Sequence, residues 1–154
     1  MGILSFFKKR KDFFTTEEKL QVVEAVRDAE KMTSGEVRVF VERHCSFVDA
    51  IDRAAELFYK MGMDKTKERN AVLLYVAMKD KQLAIFGDEG IHQKVQSDYW
   101  NREVEKMICN FNKKDYAAGI SEVVADIGEA LTEYFPYNKE TDKNELPDEI
   151  IFGK

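Results

Sequence analysis

Apolar residues recur at helical spacing in four stretches of the chain, which predicts four helices. These helices are expected over residues of about 16–31, 47–61, 91–111 and 116–135, and Pro136 closes the last one. The residues predicted to face the core are Leu20, Val23, Val26 and Ala29 in the first helix; Val48, Ile51, Ala55 and Phe58 in the second; Val95, Tyr99, Val104, Ile108 and Phe111 in the third; and Tyr116, Ile120, Val123, Val124, Ile127, Leu131 and Phe135 in the fourth.

The first helix carries local start and stop signals. Thr15 and Glu18 stand three positions apart, so each side chain can accept a hydrogen bond from the backbone of the other, as in a capping box. Gly35 follows the helix and can adopt the left-handed conformation that a helix exit favours. We therefore expect the helix to begin next to Thr15.

Three short runs rich in β-branched and apolar residues predict strands over residues 37–42, 72–78 and 83–86. A helix of about four turns connects the first two strands, so these are expected to be parallel. Only residues 79–82 connect the second strand to the third, which is too short for a crossover and predicts an antiparallel hairpin. The sequence thus predicts an α/β fold around a mixed sheet.

Length and composition favour one globular domain. A chain of 154 residues with 44% hydrophobic and 34% charged residues can bury one core. The net charge of −5 argues against binding to nucleic acid, which is driven by clustered basic residues. The two cysteines, Cys45 and Cys109, are too few for the disulfide framework of a secreted scaffold, so we expect free thiols and a cytoplasmic protein.

The two ends of the chain differ in composition from its middle. We divide it into a basic N-terminal tail at residues 1–12, a domain at 13–136 and a C-terminal tail at 137–154, whose apolar end could dock on the domain. Residues 1–11 place an apolar patch before four basic residues, which predicts either a frayed terminus or weak attachment to an anionic membrane surface near a membrane-protein client.

Three short motifs are predicted to meet at one rim of the sheet. Ser34-Gly35-Glu36 leads into the first strand, and Lys67-Glu68-Arg69-Asn70 leads into its parallel partner. The third strand runs back, so Gly87-Asp88-Glu89-Gly90 leaves the sheet at the same end. Residues that are far apart in the sequence are therefore expected to share this rim.

The polar residues of this rim suggest a metal site. Carboxylate and amide oxygens are ligands that Ca²⁺ and Mg²⁺ take, so Glu36, Asn70 and Asp88 are the predicted ligands of a divalent cation. Arg69 and Lys67 are predicted to bind an anion or to form ion pairs. A purely structural alternative is that Asp88 caps the next helix and Arg69 pairs with a carboxylate.

A rival site is possible at the opposite end of the sheet, where Glu42, Arg43, His44 and Cys45 follow the first strand and Asp80 lies in the hairpin. His44 and Cys45 are adjacent on extended chain and point to opposite faces, which disfavours a nucleophile and base pair. The chain contains no Gly-rich phosphate loop, no His-Glu-x-x-His motif and no Gly-x-Ser-x-Gly elbow.

Several blocks of the sequence resemble the TPM domain family. The matching blocks are Thr33-Ser34-Gly35-Glu36-Val37-Arg38-Val39, Leu57-Phe58, Met61-Gly62-Met63 with Lys65-Thr66, Arg69-Asn70-Ala71-Val72-Leu73, Gly87-Asp88-Glu89-Gly90-Ile91, Trp100 and Phe135-Pro136. The family usually has Gly where Ala71 stands. The chain also lacks the signal peptide, membrane span and Gly-rich tail of many exported members.

The resemblance implies a three-layer αβα sandwich with a small mixed sheet flanked by four or more helices. It also implies divergent functions, which include acid phosphatase activity and photosystem II repair in a thylakoid-lumen relative, modulation of a membrane receptor and divalent metal binding in bacterial relatives. We therefore expect a cation-binding accessory or maintenance factor. The alternatives are a metal-assisted phosphomonoester hydrolase, in which Arg69 or Lys67 would stabilise charge, and a protein-interaction module.

Overall fold

The structure, a computed structural model, describes residues 13–137 and 150–153. The predicted N-terminal tail at residues 1–12, and with it the predicted attachment to a membrane surface, lies outside the described residues. Residues 138–149 and Lys154 lie outside them too. None of the helices that the structure describes is both long enough and apolar enough to cross a membrane.

Helices and strands of the described residues follow the predicted order. The helices are α1 (Thr16–Glu30), α2 (Ala50–Lys60), α3 (Glu89–Asn112) and α4 (Tyr116–Tyr134), with a short 3-10 helix at Met63–Lys65, and the strands are β1 (Glu36–Glu42), β2 (Ala71–Ala77), β3 (Gln82–Gly87) and β4 (Ile151–Phe152). The predicted α/β class is confirmed.

The strands form one mixed sheet in the order β3-β2-β1-β4. β1 and β2 are parallel, with Glu36 opposite Ala71, and β2 and β3 are antiparallel, as their connections predicted. β4 pairs in parallel with the other side of β1, where Ile151 lies opposite Phe40. The described end of the C-terminal segment is therefore part of the sheet.

Side chains leave the sheet alternately towards two apolar layers. On β1, Val37 and Val39 pack with the residues of α1 and α4. Phe40 of β1 and Tyr75 of β2 pack on the opposite side, with α2. β2 is buried at every position, as its unbroken apolar run suggests for a central strand. The sheet therefore separates two helical layers.

The predicted capping box is present at the start of α1. The Glu18 amide donates to Thr15 Oγ1 at 3.1 Å, and the Thr15 amide donates to Glu18 Oε1 at 2.9 Å. Both bonds satisfy backbone donors that the first turn of a helix leaves without an intrahelical partner. The local sequence signal thus places the helix start correctly.

Parts of two predicted core-facing stripes are wrong. In α1 the buried stripe passes through Val22, which is fully buried, whereas Leu20 is 55% exposed. α2 begins at Ala50, so Val48 precedes the helix and is 92% exposed, and Ile51 in its first turn is 45% exposed. Apolar residues at these positions fit more than one helical stripe, and the neighbouring elements decide which stripe is covered.

α3 contains a sharp kink at Gln96, where the backbone has a φ of 67° and a ψ of 177°. Trp100 Nε1 donates across the kink to His92 Nδ1 at 3.0 Å. The kink interrupts the helical periodicity that the sequence pattern assumed. After the kink, Met107 is buried, while Ile108, which was predicted to face the core, is 45% exposed.

Replacing Gln96 with glycine is expected to stabilise the protein. A φ near 67° with an extended ψ is a conformation that essentially only glycine adopts without strain, and such strain costs about 1–3 kcal/mol. Allowing for the backbone entropy of glycine, Gln96→Gly should raise the free energy of unfolding in urea by about 1 kcal/mol. Gln93→Gly, at an exposed and regular helical position of the same helix, should lower it by about 1 kcal/mol. Equal losses from both changes would contradict this account.

Candidate functional site

The three predicted motifs do meet at the end of the sheet where β1 and β2 begin. The Glu36 amide donates to the Asn70 carbonyl at 3.4 Å, and the Gly90 amide donates to the Arg69 carbonyl at 2.8 Å. Parallel pairing of β1 with β2 and the return of β3 bring these segments together. We call this end of the sheet, with residues 34–36, 66–70 and 87–90, the rim.

Gly90 allows the backbone of the rim to pack closely. A Cβ atom at this position would lie 2.2 Å from the Glu68 carbonyl oxygen and 2.6 Å from that of Arg69. Any larger residue would therefore push the start of α3 away from the segment before β2. Arg69 itself has a φ of 54°, a left-handed conformation that turns this segment into β2.

Arg69 and Asp88 form a bidentate ion pair at the rim. Arg69 Nε and Nη2 donate to the two Asp88 carboxylate oxygens at 2.7 and 2.8 Å, and Nη1 donates to the exposed Glu89 at 3.3 Å. The side-chain hydrogen bond to Asp88 raises the pKa of Arg69 above its ordinary value. Asp88 also caps α3, because it accepts from the Glu89 amide at 2.8 Å. Asp88 and Arg69 therefore form the helix cap and the ion pair that the purely structural alternative predicted.

Asn70 belongs to a second hydrogen-bonded group. Asn70 Nδ2 donates to Ser34 Oγ at 3.2 Å, and Ser34 Oγ donates to Glu68 Oε2 at 2.9 Å. Asn70 is 1% exposed, and its Oδ1 accepts no hydrogen bond from the described residues. Sequence reasoning did not single out Glu68, although it lies in the same motif as Arg69 and Asn70.

Glu36 completes the set of residues predicted at the rim. It is 2% exposed, and because it lies opposite Ala71 its side chain is directed to the α2 side of the sheet. Among the described residues, no three His, Cys, Asp or Glu side chains lie together as a metal-binding group. A cation here would need the Asn70 amide or backbone carbonyls in addition to carboxylates, so the ligand set remains a prediction. Anion binding by the exposed Lys67 also remains a prediction.

The opposite end of the sheet contains a buried charge network around Glu42. Arg53 Nε and Nη2 donate to the Glu42 carboxylate at 2.9 and 3.0 Å, and the Tyr75 hydroxyl donates to it as well. Burial, followed by the hydrogen bond to Glu42, raises the pKa of Tyr75. These contacts neutralise the carboxylate of Glu42, which is 4% exposed, and they account for its burial without a ligand.

His44, Cys45 and Asp80 of the rival site also lie together. His44 Nδ1 is 2.9 Å from Asp80 Oδ1, and the Cys45 amide donates to Asp80 Oδ2 at 2.7 Å. The hydrogen bond to His44 lowers the pKa of Asp80. The carbonyl of Arg43 accepts from the backbone of the hairpin at 2.8 Å. Both Cys45 and Cys109 are free, and the observed contacts tie the β1 exit to the hairpin.

A groove of about 700 Å³ runs beside β3, between α2 and α3. Ile51 and Tyr59 of α2 and Trp100 and Val104 of α3 line it. The Trp100 ring packs against Gly87, where a Cβ atom would lie 2.3 Å from the ring. No local sequence pattern predicts this groove, because its apolar residues come from separate elements and suit a closed core equally well.

Comparison with solved structures relates the fold to bacterial proteins. The NMR structure of BA42 from Bizionia argentinensis is 41% identical in sequence, has a TM-score of 0.85 and matches 95% of this chain and 99% of its own. The N-terminal domain of cg2496 from Corynebacterium glutamicum has a TM-score of 0.61 at 12% identity, covering 77% of this chain and 74% of that domain. An N-terminal domain from P. gingivalis has a TM-score of 0.61 at 15% identity, over 82% and 83% of the two chains. The two more distant domains share the fold alone.

Sequence comparison gives the family. A search of curated proteins finds no match. The sequence profile of the TPM domain, in contrast, matches residues 8–130, which is most of the chain and includes the whole rim. The strong similarity to BA42 extends over nearly the full length of both proteins. The chain belongs to the TPM domain family.

Proposed function

We propose that this TPM domain binds a divalent cation, Ca²⁺ or Mg²⁺, at the rim through Glu36, Asn70 and Asp88, and acts as an accessory or maintenance factor. The main support is Asn70 Oδ1, a buried amide oxygen that accepts no hydrogen bond from the described residues. Leaving such an acceptor unsatisfied costs about 1–3 kcal/mol. A bound cation would satisfy it. The accessory role follows the functions that the resemblance implies for TPM domains.

Charge at the rim also favours a cation. In addition to Glu36 and Asp88, the carboxylates of Glu68 and Glu89 lie at this end of the sheet, and Arg69 and Lys67 offset part of their charge. An excess of carboxylates raises the local concentration of cations around the rim. Arg69 competes with a cation for Asp88, because it donates two hydrogen bonds to this carboxylate and places a positive charge next to it.

This competition predicts that Arg69→Met strengthens cation binding. The substitution removes the two hydrogen bonds that Arg69 donates to Asp88, together with a positive charge next to the site, so the dissociation constant for Ca²⁺ or Mg²⁺ should fall about fivefold or more. Isothermal titration calorimetry at low ionic strength measures the change. Lys67→Met removes the same charge from an exposed residue of the same segment and should have a much smaller effect.

Amide NMR signals of the unmodified protein provide the direct test. Millimolar Ca²⁺ or Mg²⁺ should shift signals of residues 34–36, 69–71 and 87–91, together with the Arg69 Nε–H signal, because the cation weakens the hydrogen bond from Arg69 Nε to Asp88. Asn70→Ala should abolish these shifts. The proposal fails if the signals of these segments stay unchanged at millimolar metal, or if Asn70→Ala binds as well as the unmodified protein.

A further inference from the structure

β3 lies at one edge of the sheet and pairs only with β2 among the described residues. The Asp88 amide donates to the Ala71 carbonyl at 2.9 Å, which fixes the phase of the antiparallel hydrogen bonds. Since these bonds alternate along a strand, the backbone groups of Leu83, Ile85 and Gly87 point away from β2. They form a row of donors and acceptors along the edge of the sheet.

The sequence of β3 does not protect this edge. Exposed edge strands usually carry a lysine or another charged residue, or a proline, and each of these discourages further pairing. The six residues Gln82–Gly87 contain no charged residue and no proline. On the opposite side of the sheet, the edge of β1 is partly covered by β4. No strand of the described residues covers the β3 edge, which is therefore available for further pairing.

The groove of about 700 Å³ lies along this edge and has two apolar walls. On the α2 side, Ile51 and Tyr59 are 45% and 52% exposed. On the α3 side, Trp100 and Val104 line the groove. An extended polypeptide directs successive side chains to opposite faces, so a strand beside β3 would place them against both walls in turn. Strand addition to a sheet edge is an established mode of peptide recognition.

The charged residues of the groove indicate the charge of a segment that would bind beside β3. Asp49 and Glu89 are exposed at the groove, and Arg69 pairs with both Asp88 and Glu89, so three carboxylates face one arginine. The unbalanced charge is therefore negative and complements basic residues. A second copy of this chain fits poorly, because the chain has a net charge of −5 and antiparallel pairing of two β3 edges would bring acidic groove residues together.

We propose that the groove binds an extended segment of a partner protein, which pairs with the free edge of β3 as an additional strand. Apolar side chains on one face of that segment contact Ile51 and Tyr59, and apolar side chains on its other face contact Trp100 and Val104. Basic residues at its ends face the acidic groove residues. This proposal rests on the sheet edge and the groove, and it does not depend on cation binding at the rim.

Hydrogen exchange followed by NMR tests the strand pairing. The probe is an eight-residue peptide with a lysine at each end and, between them, two valines, two threonines and two valines in that order, so that each face of the extended peptide carries two valines. It is added to the full chain. At saturation, exchange of the outward amides of Leu83, Ile85 and Gly87 should slow by about tenfold. The amides of Ala84 and Phe86, which by the same alternation face β2, should change less. Binding without slower exchange of the three outward amides would overturn the proposal.

Two matched variants test the groove wall. Ile51 and Ile108 are both helical isoleucines that are 45% exposed, but only Ile51 lines the groove. Ile51→Ser should weaken binding of the lysine peptide several-fold, and Ile108→Ser should leave it unchanged. Equal effects of the two changes would overturn the assigned site.

A peptide with glutamate in place of each lysine tests the charge assignment, and it should bind at least threefold more weakly. Equal or tighter binding would overturn the basic partner. Varying the protein concentration tests whether a second copy of the chain occupies the groove instead. If exchange of the outward amides slows as the chain is concentrated without peptide, the occupant is a second copy and the proposal is wrong.

Discussion

Asp88→Ala is expected to lower the free energy of unfolding by about 3 kcal/mol. The substitution removes the cap of α3, which accounts for about 1 kcal/mol. It also removes two charge-assisted hydrogen bonds to a carboxylate that is 2% exposed, for which about 2 kcal/mol is appropriate. Arg69 is 35% exposed and can be hydrated after the change, so the loss stays below that of a fully buried pair.

Two further variants separate the contributions of Asp88. Asp88→Asn keeps an acceptor for the Glu89 amide, so it should lose about 1–2 kcal/mol. Glu89→Ala removes the other carboxylate that contacts Arg69, but Glu89 is 63% exposed, and its loss should be below about 0.5 kcal/mol. Urea denaturation at pH 7 measures all three changes. If Glu89→Ala destabilises the protein as much as Asp88→Ala, burial of the carboxylate is not the cause.

Sequence reasoning predicts the rim well because local signals determine it. The lengths of the two connections fix the directions of β1, β2 and β3, and these directions bring Glu36, Arg69, Asn70 and Asp88 to one end of the sheet. Distant residues could therefore be placed together without knowledge of their contacts. The capping signal at Thr15 is equally local.

The pairing of charged residues within the rim depends on side-chain direction, which the sequence does not specify. From the sequence, Arg69 could pair with any of several acidic residues. In the structure, its backbone is left-handed and Gly90 packs closely against it, and its side chain pairs with Asp88. Asn70 instead contacts Ser34. Motif position thus predicts which residues share the rim, whereas backbone conformation decides which of them bond.

The kink in α3 and the groove beside β3 are tertiary features without a local signature. Gln96 is neither glycine nor proline, so nothing in its residue type marks a break in the helix. The groove depends on how α2 and α3 flank an edge strand, and its walls include Ile51 and Trp100, which also fit a closed core. Helical periodicity is ambiguous wherever the neighbouring element is unknown.

Glu103 is another residue whose environment the sequence does not reveal. It lies in α3 among polar residues, yet it is 4% exposed. Lys106 Nζ lies 3.5 Å from Glu103 Oε2 and 2.8 Å from Asp126 Oδ2, and Tyr99 is close enough for the charge of Glu103 to affect it. Burial raises the pKa of Glu103 to about 7, and the hydrogen bond with Asp126 acts in the same direction, while Lys106 opposes it.

The raised pKa of Glu103 predicts that stability falls as pH rises from about 5 to 8. Between the pKa of the unfolded chain, near 4.5, and the folded value of about 7, the folded state holds the proton more tightly, so deprotonation favours unfolding. One pKa unit corresponds to about 1.4 kcal/mol, and we expect this group to lower the free energy of unfolding by about 2 kcal/mol over that range. Glu103→Gln keeps a neutral hydrogen-bonding side chain, so it should remove this decline.

Urea denaturation of both proteins at pH 5 and pH 8 checks the prediction. The gain from Glu103→Gln over the unmodified protein should be about 2 kcal/mol greater at pH 8 than at pH 5, because only the unmodified protein must bury a charged carboxylate there. Glu105→Gln, which changes an exposed carboxylate two positions away in the same helix, is the matched control. A pH-independent effect of Glu103→Gln would mean that Glu103 is ionised in the folded state at pH 5, and that Lys106 stabilises its charge at least as much as burial opposes it.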